Sequence, residues 1–363
     1  MSKKYYLFIL LALSSNFLFS QTIPSFLTNE WIKVKVQMLD GSKDVSETYS
    51  SSKFYRLSFS EKEMCMDYQP INSNGKTCSK YNLESNFIRT SPESGYEIVK
   101  LSSDSLIIIE RINGVNENDK IRKLWFKKSS LIKKEYSKKF DNDSIIIASE
   151  NFTPTINKNL ILDIAENFRK KNRYPKFNLI GNIVFFPKSE SLTIEVLNEK
   201  DKSVIDNQEN IDFIKSIFQN SYKYWNLNGF EKFKKISIPF IINSDSYGID
   251  ESYTYKGTPI FYFMNDTKDI EKYYGIKMQD LRDSEASFRR GISLFENEKY
   301  DKAIEHFLKS YEVDNRKIDA LYNIVSLYNL KSDQKNMCLY LKKLKDLEQT
   351  LATNLYNEKC PKL

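Results

Sequence analysis

The residues able to do chemistry in this chain are few, and their spacing sets the first constraint. Four cysteines fall in two local pairs, Cys65 with Cys78 and Cys338 with Cys360. Neither pair has C-x-x-C spacing and no histidine stands near either, so the spacing argues against a zinc site. An even count suits disulfides in an oxidising compartment. Between Cys65 and Cys78 lies Asn72-Ser73-Asn74-Gly75, a turn sequence that lets a hairpin bring the two sulfurs together. A bond there closes a short loop and is worth on the order of 3 kcal/mol; the other reading is a pair of packed, reduced thiols. Cys360 lies in the C-terminal tail, where chain ends fray, which works against the second pairing. The single histidine, His306, sits beside Phe307 in a helical stretch and reads as a solvated surface side chain. With one histidine and no nucleophile motif beside it, Ser-His-Asp or Cys-His catalysis has no support. Glycine is scarce at 10 residues and forms no phosphate-cradling loop. Asp201, Asp206 and Glu209 read as a solvated loop and a helix start. Nothing selects a carboxylate pair for glycoside hydrolysis, whose spacing is spatial. The expectation is therefore no enzyme, no cofactor and no metal.

The elements that would position any site begin with an export signal. Lys3 and Lys4 precede the apolar run Tyr5 to Leu13, and Ser14-Ser15-Asn16 and Phe17-Leu18-Phe19-Ser20 lead to Gln21. Charged, apolar and small residues in that order read as a signal peptide over residues 1–20. A transmembrane helix needs roughly twenty apolar residues, and this run is shorter; an uncleaved anchor is the alternative. No cysteine follows for lipid attachment, and no later stretch is apolar enough to span a bilayer. In the 363-residue chain 40% of residues are hydrophobic and 14% aromatic, enough for buried cores and against global disorder. The formal charge of +7 falls to +5 without Lys3 and Lys4. Basic residues are scattered among acids, and the densest run, Lys120 to Lys139, reads as solvated strands and a linker. Nucleic acid is therefore not an expected partner.

Three segments with different patterning follow. From Phe26 to about Lys128 apolar residues alternate with period two: Trp31 to Val36, Phe54 to Phe59, Tyr96 to Leu101, Leu106 to Glu110 and Ile121 to Lys127, with turns at Asp40-Gly41 and Asn113-Gly114. Short strands at regular spacing indicate an up-and-down antiparallel barrel or sandwich. The Trp31 opening, Asp40-Gly41 and the hairpin from Tyr96 to Phe126 resemble the lipocalin-like domains of exported bacterial proteins. That resemblance covers residues 22–130 and implies a barrel able to hold a small apolar ligand; Trp31 reads as a core residue or barrel-end plug. Residues 131–150 form a polar Lys- and Ser-rich linker, with one more strand at Ser144 to Ala148.

Between 151 and 245 the pattern is helical over Asn159 to Lys170, with Tyr174-Pro175 ending it. Strands follow at Gly181 to Phe186 and Leu192 to Leu197, then a helix from Gln208 to Tyr222 and a strand from Lys235 to Ile242. The β-β-α-β order with Tyr174, Pro175, Gly181, Trp225, Gly229, Ile238, Pro239 and Phe240 resembles the C-terminal domain of TonB. The resemblance implies strand addition to an exposed edge by an envelope partner. The expected departures from that family are the lack of a long Pro-rich spacer, the lack of a retained membrane anchor and the mid-chain place of the domain. Residues 246–283 are a connecting segment whose aromatics Tyr262, Phe263, Tyr273 and Tyr274 read as packing residues.

From 284 to 363 the spacing is that of two crossing helices. Gly291, Tyr300, Ala303, Phe307 and Ser310 resemble a tetratricopeptide repeat, in which Gly291 and Ala303 allow close approach and Phe307 fills the space toward the next unit. A degenerate second unit begins at Ile318, with Val325 and Met337 at the small positions, and Asp346 to Lys359 reads as a capping helix. The fold class expected is multidomain α+β: an antiparallel barrel or sandwich, a central α+β domain and C-terminal helical repeats. The function expected is an exported envelope scaffold binding proteins or peptides, most readily in the periplasm, with outer-membrane association or secretion as the alternatives, and without an integral membrane span after signal removal. The alternative is a carrier of a small apolar ligand in the barrel.

Overall fold

Alternation in the first hundred residues produces strands with one apolar face, and such a sheet must cover that face or curl upon itself. The computed structural model describes residues 25–45, 54–68, 70–71, 76–170, 175–244, 260–263 and 278–360; the expected signal peptide and the turn at 72–75 lie outside them. Nine strands come first: β1 (Glu30–Met38), β2 (Arg56–Phe59), β3 (Glu63–Asp67), β4 (Thr77–Lys80), β5 (Asn82–Glu84), β6 (Phe87–Arg89), β7 (Ser94–Leu101), β8 (Ser105–Ile112) and β9 (Arg122–Lys128). They form one antiparallel sheet in the order β4-β3-β2-β1-β9-β8-β7-β6-β5. Only Tyr81 separates β4 from β5, so the two ends of that order belong to one extended stretch and the sheet curls into a nearly closed barrel. Trp31, Leu57, Leu106, Ile108 and Phe126 fill the interior. Trp31 Nε1 donates to the Leu27 carbonyl at 3.1 Å, which satisfies the one polar group of a fully buried indole. The register shifts between Lys33 and Lys35 and between Ile98 and Lys100, so Val34 and Val99 are bulge residues.

Helix α1 (Ser129–Ser137) lies within the polar stretch that the sequence presents as a linker. It sets Ile132 against Ile32 and Phe54 on the outside of the barrel. On β2 and β3 the register partners Arg56 and Asp67 form an ion pair, both side chains almost fully buried. Mutual charge and a hydrogen bond are what permit burial of either group.

The middle of the chain contributes β10 (Ile145–Ile147), β11 (Thr155–Ile156), α2 (Leu160–Lys170), β12 (Phe177–Phe186), β13 (Ser191–Val196), α3 (Lys202–Ile205), α4 (Gln208–Gln219), β14 (Trp225–Asn226), β15 (Lys235–Ser244) and β16 (Ile260–Phe263). The sheet runs β10-β15-β12-β13; β10 is parallel to β15, and β16 pairs β15 farther along the same strand. Leu160, Ile164 and Phe168 of α2 and Ile211, Ile214 and Phe218 of α4 recur at helical spacing and join Leu179, Ile183, Phe185 and Phe240 in one core. Opposite Phe240 stands Gly181, where a Cβ would lie 2.4 Å from the Glu195 carbonyl and 2.9 Å from the Phe240 ring. Only glycine leaves room for that ring over the strand.

Five helices end the chain: α5 (Met278–Glu296), α6 (Tyr300–Val313), α7 (Ile318–Leu330), α8 (Gln334–Asp346) and α9 (Thr350–Lys359). Glu298, Ser332 and Glu348 adopt positive φ at the turns before α6, α8 and α9. Asp333 caps α8 by accepting from the Asn336 N–H at 3.1 Å. Gly291 of α5 faces the Phe307 ring of α6, and a Cβ there would come within 2.7 Å of it. Disulfides join Cys65 to Cys78 across β3 and β4, and Cys338 of α8 to Cys360 after α9. The tail cysteine is thus held, since α9 packs back on α8 and buries it.

Two predictions follow from this packing. Gly291→Ala should lower stability by about 1–3 kcal/mol, the cost of overpacking a filled core. Adding Phe307→Leu should return part of the loss in thermal unfolding. Replacing Cys338 and Cys360 together with serine frees a loop of sequence separation 22 and should cost on the order of 3 kcal/mol, read by denaturant unfolding of the oxidised proteins.

Candidate functional site

Three places collect polar or exposed groups that a partner could use. The first is one end of the barrel. Inward parity on β7, β8 and β9 puts Tyr96, Glu110 and Arg122 at the same level, one layer beyond Ile98, Ile108 and Leu124. Tyr55 stacks on Tyr68 with ring centroids 5.1 Å apart and meets Phe126 edge-on at 5.6 Å. Burial pushes the Tyr55 hydroxyl far above its ordinary pKa, helped by the neighbouring Tyr96 and Tyr68 hydroxyls and by Glu110. Burial likewise raises Tyr96. Glu110 is raised by desolvation; Arg122 opposes this, and Asp44 adds to it. Arg122 Nε donates to Asp44 Oδ2 at 2.8 Å, so much of the cation is already neutralised. The result is a polar ring of tyrosines and one under-compensated carboxyl above an apolar interior.

The second place is the free edge of the central sheet. β13 pairs β12 and no other strand among the described residues. The Leu197 N–H donates to the Ile180 carbonyl of β12 at 2.8 Å. By alternation the N–H groups of Leu192, Ile194 and Val196 point away from β12, toward the open side. The expected TonB-like positions do not converge on this edge. Tyr174 lies outside the described residues, and the Pro175 carbonyl accepts from Ser244 Oγ at 2.6 Å. Gly181 makes room for Phe240. Trp225 donates Nε1 to Ser221 Oγ at 2.9 Å and meets Phe185 edge-on at 4.8 Å. Gly229 takes φ 88° in a turn. Pro239 falls in the gap between the β10 and β16 pairings of β15, where its missing N–H leaves neither ladder short of a donor. These residues build the domain and present no common surface.

The third place is the helical array. Ala303, Phe307 and Ser310 are fully buried. Tyr300 sits half-buried with its ring 6.1 Å from that of Phe295. Ser284 Oγ donates to the Ser310 carbonyl at 2.8 Å, closing the α5–α6 contact. His306, expected in solvent, is half-buried, with Nδ1 buried and without a hydrogen-bond partner among the described residues. The array meets the barrel beside Asp44, on the same end as the polar ring: the Thr350 N–H donates to Ser42 Oγ at 2.9 Å, the Lys43 N–H donates to the Glu348 carbonyl at 3.2 Å, and Gln349 Nε2 donates to the Lys43 carbonyl at 3.2 Å. Burial pushes Tyr322 up to about 12, with Asp119 and Asp40 of the barrel turns adding to the shift.

No group of three or more His, Cys, Asp or Glu side chains is placed to hold a metal ion among the described residues. Asp201, Asp206 and Glu209 flank α3 and open α4 as surface groups. The barrel-end ring escaped sequence reading because its members stand tens of residues apart. Their inward parity, legible beside Leu124 and Ile108, was the available signal. No family model, curated protein or solved structure matches the chain.

Glu110 supplies a test of this ring. Its pKa is raised in the folded protein, so its contribution to stability is full below the ordinary carboxylate pKa and is lost as pH rises through the folded value. Glu110→Gln should therefore be more stable than wild type at neutral pH, with the gap closing on acidification. Urea unfolding across that range measures it.

Proposed function

We propose that this chain is a non-enzymatic exported protein of the cell envelope that binds other proteins, in the manner of a scaffold. The edge of β13, open among the described residues, carries the reading: a strand with such unpaired N–H and C=O groups is a ready template for an extended segment of a partner. The helical array adds a second surface of the kind that tetratricopeptide-like repeats use for peptides. Two disulfides are compatible with an oxidising, non-cytoplasmic compartment. No helix among the described residues is long and apolar enough to cross a membrane. The periplasm is the proposed address, by resemblance of the middle segment to the TonB C-terminal domain.

The second reading, a carrier of a small ligand in the barrel, is favoured by the polar ring of Tyr55, Tyr96 and Glu110 above apolar residues that point inward. Crosslinking in intact envelopes followed by pull-down distinguishes the two. Val196→Pro removes an N–H from the open side and leaves the β12 ladder intact, so it should lose at least one partner that the wild type captures. The same set of captured proteins from both chains, together with a bound small molecule in the native mass spectrum, would transfer the assignment to the carrier.

A further inference from the structure

The outer wall of the barrel carries a surface that neither the sheet edge nor the helical array accounts for. Phe126 and Leu124 turn inward, so Trp125 between them points outward. Its register neighbours are Lys35 on β1 and Ile107 on β8, and Ile107 in turn faces Lys100 on β7. A row of cation, tryptophan, isoleucine and cation thus crosses four adjacent strands. The two bulge valines stand beside its ends and project into solvent, Val34 at 53% exposure and Val99 at 48%. Lys35 and Lys123 hold their ammonium groups 4.7 and 5.2 Å from the Trp125 ring centroid.

These cations form no ion pair among the described residues, and only Lys100 has an acidic neighbour, Asp104, acting on it through space. Elsewhere on the same wall Arg111 is paired with Glu97 at 2.7 Å and Lys127 with Glu135 at 2.6 Å. Lys35, Lys100 and Lys123 have no carboxylate within ion-pair distance among the described residues. Helix α1 covers the wall at Ile32, whose register partner is Lys127, and leaves the Trp125 row open. The surface therefore combines exposed aliphatic groups, an amphipathic aromatic and a net positive charge.

We infer that this wall docks on an anionic lipid surface, with Trp125, Val34 and Val99 at the headgroup boundary and Lys35, Lys100 and Lys123 against lipid phosphates. Charge complementarity fixes the sign of the partner. Backbone pairing separates a lipid surface from an acidic peptide: β7, β8, β9 and β1 are each paired on both sides, so the wall offers no strand edge to a polypeptide. The convex wall meets a plane along one row, which is where the exposed side chains lie.

The test mixes the exported protein, its N-terminus read by intact mass, with vesicles of phosphatidylethanolamine and phosphatidylglycerol, and separately with vesicles of phosphatidylcholine. Flotation should recover it with the anionic vesicles, and less as salt is raised. Lys35→Gln and Lys123→Gln should each weaken binding about fivefold, and Trp125→Ala should weaken it further while unfolding at the wild-type midpoint to within a few degrees. All variants share the wild-type N-terminus, so any contribution of the apolar run at residues 5–13 cancels. Failure of the wild type to float with anionic vesicles overturns the inference, as does binding unaltered by the lysine changes. Capture by polyglutamate in place of vesicles also overturns it and reassigns the wall to an acidic polypeptide.

Discussion

Lys232 reaches from the central domain to the end of α1 and donates to the Ser137 and Phe140 carbonyls, each at 2.7 Å. The last carbonyls of a helix have no partner of their own, and a cation there is favoured by both hydrogen bonding and the helix dipole. That contact decides more than the end of one helix. α1 carries Ile132 onto the barrel wall and Tyr136 onto the ring of Phe152 in the central core, with centroids 5.8 Å apart. The Ile156 N–H donates to the Ile71 carbonyl at 2.8 Å, and Ile71, which follows β3, is itself buried in the central core. Barrel and central sheet are thereby joined by a capped helix and by a barrel loop that belongs to its neighbour's core.

Burial at that junction also explains the Arg56–Asp67 pair. A lone charge enclosed on the barrel wall would be costly, whereas here the Asp67 carboxylate offsets the Arg56 charge and accepts from one guanidinium nitrogen. The adjoining Trp125 row is not enclosed by α1 and needs no such pairing, so its lysines reach solvent. Two rows of one sheet thus meet opposite demands, and the difference is whether α1 reaches them.

Much of this architecture could be read from residue order. Alternation at Trp31, Leu57, Ile108 and Phe126 announced a curled antiparallel sheet, and helical spacing at Leu160, Ile164 and Phe168 announced α2. The small residue at Gly291 facing Phe307 was legible because close helix crossings admit few side chains. The rest depended on contacts that sequence spacing does not encode. Residues 131–150 look like a polar linker, yet Ile132 and Tyr136 suffice to turn part of them into a docking helix. The barrel-end ring joins Asp44, Tyr55, Tyr96, Glu110 and Arg122, whose common level is set by register and bulges. His306 lost part of its expected exposure because helix packing covers Nδ1.

The pairing of β1 with β9 has a consequence for the order in which the molecule is completed. Trp31 faces Lys128 across that ladder, so the first strand to be synthesised finds its inner neighbour only after nearly all of the barrel has appeared. The helical array needs only local neighbours, and local contacts form sooner than distant ones. The Lys43–Glu348 bridge spans a sequence separation of 305, so the barrel can meet the array only after the intervening chain has been made. The barrel therefore emerges before the array that supports it, and until the array is made its half-made sheet edges are the part of the chain most in need of protection.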